Sequence, residues 1–306
     1  MSKTIKYGIV GAGHLGNYHA QQLKNMLGVK LVGVFDRIPE KSYSFGKLYE
    51  IKQFNKLEKL LKECDAVSIT TPATAHYQNA ILALQNNCHL FIEKPFTRSL
   101  TEAQNIIRME KTTGLKIQIG HIERFNAAFL NYLKKGPAPQ FVESHRLCKY
   151  NKRGLDVDVV LDLMIHDIDI LLLINPFPIK SICASGASIL TTSLDMASVR
   201  VEFKNNVSAN LTASRISLKQ MRQMRIFATS SYNIIDFQNQ SWKKWCIENK
   251  AFKEQTIKIA PNNALYEELN LFIKSIHKDL SIKVGTRETI KALTVACQIQ
   301  KIIEKK

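Results

Sequence analysis

From residue 5 to about residue 120, short runs of β-branched and aromatic residues alternate with stretches whose apolar positions recur at helical spacing. The runs 5–10, 30–35, 66–70, 89–93 and 116–120 are predicted strands, and 16–27, 57–63, 76–85 and 100–113 predicted helices. Strands alternating with helices in this way build a parallel sheet with helices on both faces. After residue 121 the pattern changes. A helix is expected at 127–133, a strand at 141–150 and one long helix across DVDVVLDLMIHDIDILLLI. Strands follow at 179–188, 196–203, 207–214, 225–228 and 232–237, and helices at 264–277 and 286–304 close the chain. Strands with so little helix between them give an antiparallel or mixed sheet.

A chain of 306 residues suits two domains of roughly 100–200 residues each. The boundary is expected near 120–126, giving domains 1–121 and 122–306. Hydrophobic content of 45% and charged content of 23% are ordinary for globular chains. No apolar run approaches the ~20 residues of a membrane helix, and the N-terminus lacks the charged, apolar and small-residue order of a secretory signal. No membrane insertion and a cytoplasmic location are therefore expected. The six cysteines form no C-x-x-C pair, which fits free thiols in a reducing compartment. The net charge of +17 comes mostly from scattered lysines. It fits a solvated surface, attraction of a phosphorylated substrate, or nucleic acid; no nucleic-acid motif accompanies it, so that partner is not expected.

The segment KYGIVGAGHLGNYHA contains G-x-G-x-x-G as Gly11, Gly13 and Gly16. The pattern follows a predicted strand and opens a predicted helix, and Asp36 ends the next strand. That context is the dinucleotide fingerprint. Gly11 permits the tight turn, Gly13 lets backbone approach a pyrophosphate, and Gly16 allows close helix–strand packing. His14 and Leu15 open the helix, whose free N–H groups favour phosphate. Asp36 suits an adenosine ribose hydroxyl and favours NAD; Arg37 beside it leaves NADP as the alternative. At the next strand end, Thr71 and Pro72 are expected to line the cofactor. His76 on the following helix either joins them or is simply exposed.

The strand HLFIEKP places Glu93 and Lys94 at its carboxyl end, before Pro95. Position alone fits a surface ion pair or a cleft lysine beside the nicotinamide. Here the chain resembles the glucose–fructose oxidoreductase/inositol dehydrogenase (Gfo/Idh/MocA) family, in which E-K-P is a recognised feature. The resemblance covers essentially the whole chain. It implies an N-terminal Rossmann doubly wound parallel sheet, followed by a C-terminal α+β domain with a large open, mostly antiparallel sheet that serves substrate binding and oligomerisation. It further implies an NAD(P)-dependent oxidoreductase acting on a CH–OH group, assembled as a homodimer or homotetramer, with Lys94 catalytic and close to the nicotinamide.

On the predicted long helix, Asp158, Asp162, His166 and Asp169 recur at spacings that share one face of an otherwise apolar segment. Such a stripe fits a cleft, a structural hydrogen-bond network or a metal site; the family resemblance calls for no metal. In the family, a D-x-x-x-H pair on this helix works with the lysine, and Asp162 and His166 match it. The resemblance makes His166 the acid–base group at the reacting hydroxyl and Asp162 its orienter or a ligand of a neighbouring hydroxyl. Lys94 then stabilises and relays the proton. Many polyol members carry glycines before this aspartate, where this chain has Val159, Val160 and Leu161. GHIERFNAAF and ASRISLKQMRQMRIF resemble the nucleotide-sugar branch, acting on the 3-hydroxyl of UDP-N-acetylglucosamine-like substrates to give a 3-keto sugar for lipid A or surface polysaccharide. Arg124, Asn126 and Arg215 are the expected substrate contacts. Arg215, Lys219, Arg222 and Arg225 form either a diphosphate site or a solvated basic hairpin. A dehydrogenase of a free sugar or polyol, and a cofactor-binding sensor without chemistry, are the alternatives; joint retention of Lys94, Asp162 and His166 speaks against the sensor.

Overall fold

The computed structural model describes residues 4–151, 154–248 and 251–305. Its chain divides into two units, one built from residues up to His121 together with Leu265–Ile290, the other from Ile122–Ala264 and the segment from Lys291 onward.

The first unit is laid down by β1 (Ile5–Val10), α1 (His14–Leu23), β2 (Val29–Phe35), α2 (Pro39–Tyr49), β3 (Lys52–Phe54) and α3 (Leu57–Leu61). It continues through β4 (Ala66–Ile69), α4 (His76–Gln85), β5 (His89–Glu93), α5 (Leu100–Thr113) and β6 (Ile117–Gly120). All six strands are parallel, in the order β3-β2-β1-β4-β5-β6. This is the doubly wound order of a Rossmann sheet. Every residue of β4 and β6 is buried, as expected where helices cover both faces. Two elements exceed the sequence expectation. In α2, Pro39 sits at the start, where its missing N–H costs nothing, and the inner face carries Ser42, Phe45, Gly46 and Tyr49. The short β3 then adds an edge strand to β2.

The helix expected at 264–277 forms, but the residues from Leu265 belong to the first unit. Leu269, Phe272 and Ile273 enter the same buried cluster as Tyr7, Ile9 and Phe91. Phe272 meets Tyr7 and Phe91 edge-on, with ring centroids 6.3 and 6.0 Å apart. The apolar face of this helix thus completes the sheet's core, and the second unit is not the single segment 122–306 that the sequence suggested.

The second unit contains α6 (Ala127–Lys135), β7 (Phe141–Leu147), α7 (Ile165–Ile174), β8 (Ile179–Ala187), β9 (Met196–Phe203) and β10 (Ser208–Ser214). Next come β11 (Met221–Ala228), β12 (Ser231–Asp236), β13 (Ser241–Glu248) and β14 (Ala251–Thr256). The helices α8 (Ala264–His277) and α9 (Thr286–Glu304) end the chain. The sheet order is β14-β13-β12-β11-β7-β10-β9-β8; β7 and β10 pair parallel and the other neighbours antiparallel. An α+β unit with a large, mostly antiparallel sheet is therefore present. The last two strands, β13 and β14, were not expected. The predicted long helix also differs: a π-helical turn at Val160–Met164 precedes α7.

Candidate active site

The glycine loop joins β1 to α1. Gly11 has φ +107, and a Cβ there would lie 2.8 Å from the Thr70 carbonyl carbon and the Thr71 nitrogen. At Gly16 a Cβ would lie 2.1 Å from the Gly11 oxygen, so the helix can approach the strand only without a side chain. At Gly13 a Cβ would meet nothing within 4 Å, leaving its backbone open to a ligand. Gly13 is also the N-cap of α1, which has no side-chain cap and no acidic residue in its first turn. His14 and Leu15 are exposed there. These features fit a dinucleotide pyrophosphate. Thr70 locks the loop by donating its hydroxyl to the Gly11 oxygen at 2.9 Å.

Asp36 stands at the end of β2. Its carboxylate accepts from the Ala12 N–H at 2.8 Å and the Ile38 N–H at 2.9 Å. The side chain is thus fixed in direction and braces the loop while keeping acceptor capacity for a ribose hydroxyl. A cavity of about 880 Å³ opens beside it, lined among others by Asp36, Arg37, Phe54, Asn55, Lys59 and Lys62. Arg37 and Pro72 are exposed and Thr71 is half-buried. His76 differs from its expected place. It is 1% exposed, with Nδ1 2.8 Å from the Pro95 carbonyl and Nε2 2.8 Å from the Thr71 carbonyl. Carbonyl oxygens only accept, so the ring ties the β4 and β5 exit loops together rather than offering a polar edge to cofactor.

Lys94 is half-buried at the exit of β5, and its bond to Pro95 is cis. Glu93 points inward and is 8% exposed. Its carboxylate accepts from His19 Nε2 at 2.9 Å. Burial alone would raise the Glu93 carboxyl. The hydrogen bond and charge of His19, together with Lys94 and His76, outweigh burial and hold it below its ordinary value. Glu93 is therefore an internal anion, one residue before Lys94.

In the second unit the expected aspartate–histidine stripe is divided by the π-helical turn. Asp158 precedes it and accepts from the Val160 and Leu161 N–H groups at 2.9 and 3.1 Å and from Gln300 Nε2 at 2.6 Å. That is a cap, outside the face read from the sequence. Asp162 lies within the turn, half-buried, and His166 is buried in the first turn of α7. Asp169 accepts two hydrogen bonds from Arg124, at 2.5 and 2.7 Å. Arg124 is thus engaged by a nearly buried carboxylate. Asn126, expected at substrate, is the N-cap of α6: Oδ1 accepts from Ala128 and Phe129, and Nδ2 donates to the Phe237 carbonyl. These bonds take up its side chain at 3% exposure.

The expected basic cluster also disperses. Arg215 is buried and donates to the Val157 and Gly154 carbonyls at 2.8 and 3.5 Å. Arg222 and Arg225 lie on opposite faces of β11, because successive strand residues alternate. Arg225 pairs with Glu143 at 3.7 Å, whereas Lys219 and Arg222 are exposed.

Two groupings escaped the sequence reading. One is the set His19, Ser68 and Tyr7 behind Glu93, in contact at 2.8–2.9 Å. His19 falls on the buried face of α1 with Gly16, Ala20 and Leu23, a helical spacing that marks it as inward-facing. The other is Arg146 on β7, which bridges Asp167 at 3.0 Å and Glu123 at 2.9 Å, all three nearly inaccessible. Burial pushes the Asp167 carboxyl above its ordinary value, against the pull of Arg146. Among the described residues, no group of three or more His, Cys, Asp or Glu side chains could hold a metal ion.

The fold and its glycine loop define a class: a nicotinamide-dependent oxidoreductase with a Rossmann unit and a second, largely antiparallel unit. Comparison with known proteins makes this particular. Residues 5–121 match the model described as oxidoreductase family, NAD-binding Rossmann fold, and residues 116–231 match the GFO/IDH/MocA C-terminal domain. The chain is 33% identical to UDP-N-acetylglucosamine 3-dehydrogenase of Acidithiobacillus ferrooxidans, across 98% of this chain and 97% of that one. A solved structure of that organism's UDP-N-acetylglucosamine 3-dehydrogenase, GnnA, superposes with a TM-score of 0.91, covering 100% of this chain and 99% of the other. A scyllo-inositol 2-dehydrogenase (NAD(+)) of Bacillus subtilis is 25% identical over 83% of this chain and 86% of its own. The chain belongs to the Gfo/Idh/MocA oxidoreductase family.

Proposed function

We propose that the protein oxidises the 3-hydroxyl of a UDP-linked N-acetyl sugar, UDP-N-acetylglucosamine or a close analogue, to the 3-keto sugar, with NAD as acceptor. The observation that carries this reading is the similarity, over nearly the full length of both chains, to a UDP-N-acetylglucosamine 3-dehydrogenase. The uncapped α1 terminus, the open backbone at Gly13 and the braced Asp36 carboxylate are the residues that would hold the dinucleotide. When bound, nicotinamide supplies the hydride acceptor. His166 takes the hydroxyl proton as general base, Asp162 orients the imidazole or a neighbouring sugar hydroxyl, and the Lys94 ammonium stabilises the oxygen as its proton leaves. The exposed Arg222 is the cation we assign to the diphosphate, whereas Arg215 is held by backbone carbonyls. We further place the product in lipid A or surface polysaccharide synthesis and the enzyme, as a homodimer or homotetramer, in the cytoplasm. No helix among the described residues is long and apolar enough to cross a membrane.

Turnover followed by absorbance of reduced cofactor, across a panel of UDP-sugars and free sugars, tests the substrate. UDP-N-acetylglucosamine is expected to react, and N-acetylglucosamine and inositols to fail. The 25% identity to an inositol dehydrogenase favours the second reading, a free polyol, which predicts turnover without the nucleotide and no effect of Arg222→Ala. Cofactor choice has its own test. Asp36→Ser removes the carboxylate and leaves Arg37, Lys59 and Lys62 around the same cavity. Its kcat/KM with NAD should fall about 10- to 100-fold, the value of a charged hydrogen bond, while kcat/KM with NADP rises. Parallel kinetics with the two cofactors read the outcome directly.

A further inference from the structure

Glu93 is a carboxylate nearly sealed from solvent at the end of β5, one residue before Lys94. An internal anion is costly unless donors and cations surround it. Each neighbouring element contributes. From α1 comes His19, 0% exposed, with Nε2 2.9 Å from Glu93 Oε1. From α4 comes His76, and from β5's own exit Lys94; both charges act on the carboxylate. From β6 comes Gly120, where a Cβ would lie 2.8 Å from Glu93 Oε2, so the absent side chain is what makes room for the anion.

The contacts behind His19 extend the arrangement into the core. A carboxylate only accepts, so His19 Nε2 carries hydrogen. Its Nδ1 lies 2.8 Å from Ser68 Oγ, which in turn lies 2.9 Å from the Tyr7 hydroxyl. The carboxylate is thus backed by an unbroken run of buried hydrogen-bonding groups. Burial pushes the Tyr7 phenol up, which keeps it a donor at the far end. Polar groups buried between β1, β4, α1 and β5 contribute less stability than apolar packing of the same volume. What they supply is a negative charge fixed in place.

We propose that His19 is a positioning residue of the reaction, holding the Glu93 carboxylate as an oriented anion that aims the Lys94 ammonium at the reacting hydroxyl. The inference rests on the role proposed above for Lys94. Its test compares His19→Met, His19→Gln and Lys94→Met in the full chain, with UDP-N-acetylglucosamine and NAD. His19→Met should lower kcat about 100-fold, as expected for a misplaced reacting group, with NADH affinity by fluorescence titration unchanged. Without its donor the buried carboxylate takes a proton more readily. The acid limb of the kcat–pH profile should therefore move up by about one unit or more. His19→Gln keeps an N–H and should recover most of the rate. Wild-type kcat and an unmoved acid limb in His19→Met, beside an inactive Lys94→Met, overturn the inference alone. Loss of NADH binding in parallel with kcat, unrescued by glutamine, overturns it too, since that marks a folding role. Full activity in Lys94→Met removes the Lys94 role and this one together. If His19→Met does not fold, Ser68→Ala is read in the same way, and an unmoved limb there counts against the inference. A readout independent of substrate is the ¹⁵N spectrum of histidine-labelled protein. An Nε2–H at His19 that responds to Glu93→Gln supports the arrangement, whereas an Nε2 without hydrogen overturns it.

Discussion

Lys94→Met is expected to lower kcat for the proposed sugar oxidation by about 10³-fold, within the range for loss of a positioned proton-handling group, while binding of reduced cofactor is nearly retained. Methionine has a similar reach and a flexible apolar stem, so the half-buried site at the exit of β5 stays filled. What disappears is the ammonium. The Glu93 anion keeps the His19 hydrogen bond, so the strand end keeps its internal compensation. The effect should accordingly fall on kcat rather than on the glycine loop proposed to hold the dinucleotide. Steady-state kinetics with saturating NAD, together with fluorescence titration of NADH, separate the two. A variant with wild-type kcat would remove Lys94 from the reaction.

The contrast between Lys94 and its neighbours shows what a sequence carries about such a site. The glycine loop was legible because its constraints are local: a strand, a positive φ, an open backbone and an acid at the next strand end all leave fixed spacings. The doubly wound sheet was legible for the same reason, through buried strands with continuous apolar runs. The helix α2 was missed because its inner face is Ser42, Phe45, Gly46 and Tyr49, with no aliphatic periodicity to mark it. The hairpin of β13 and β14 was missed because β14 is exposed along its whole length and carries Lys253 and Glu254 mid-strand, a polar edge that blends with loop composition. The stripe from Asp158 to Asp169 failed for a geometric reason. Counting by four assumes an α-helix, and the π-helical turn at Val160–Met164 shifts the face between Asp158 and His166. His76 and Asn126 were legible as polar residues near strand ends, but their partners are backbone carbonyls and amides of distant segments, which no spacing reveals.

Arg146→Met should destabilise the second unit by about 3–5 kcal/mol, the cost of leaving buried charge without its partner. The guanidinium donates to both oxygens of Asp167 at 3.0 Å and to Glu123 at 2.9 Å, and one cation serves two carboxylates. Asp167 is followed two residues on by Asp169, held by Arg124, so the two arginines hold α7 just after His166. Loss of Arg146 should then lower both the melting temperature, by on the order of 10 °C, and kcat. The pH dependence carries the sign of the argument. The Asp167 carboxyl already lies above its ordinary value because of burial. A carboxyl raised by folding binds its proton more tightly in the native state, so its contribution is present at low pH and is lost as pH rises through the folded value. Without Arg146 that value climbs further. The deficit relative to wild type should be largest near neutral pH and above, and shrink as pH falls towards the ordinary carboxylate range. Adding Asp167→Asn to Arg146→Met should restore part of the stability at neutral pH, because an amide needs hydrogen bonds but no counter-charge. Calorimetric melting of the two variants across that pH range tests both statements. A deficit independent of pH would mean that the guanidinium acts by filling space against Phe237, over whose ring it lies at 5.7 Å, rather than by neutralising the pair.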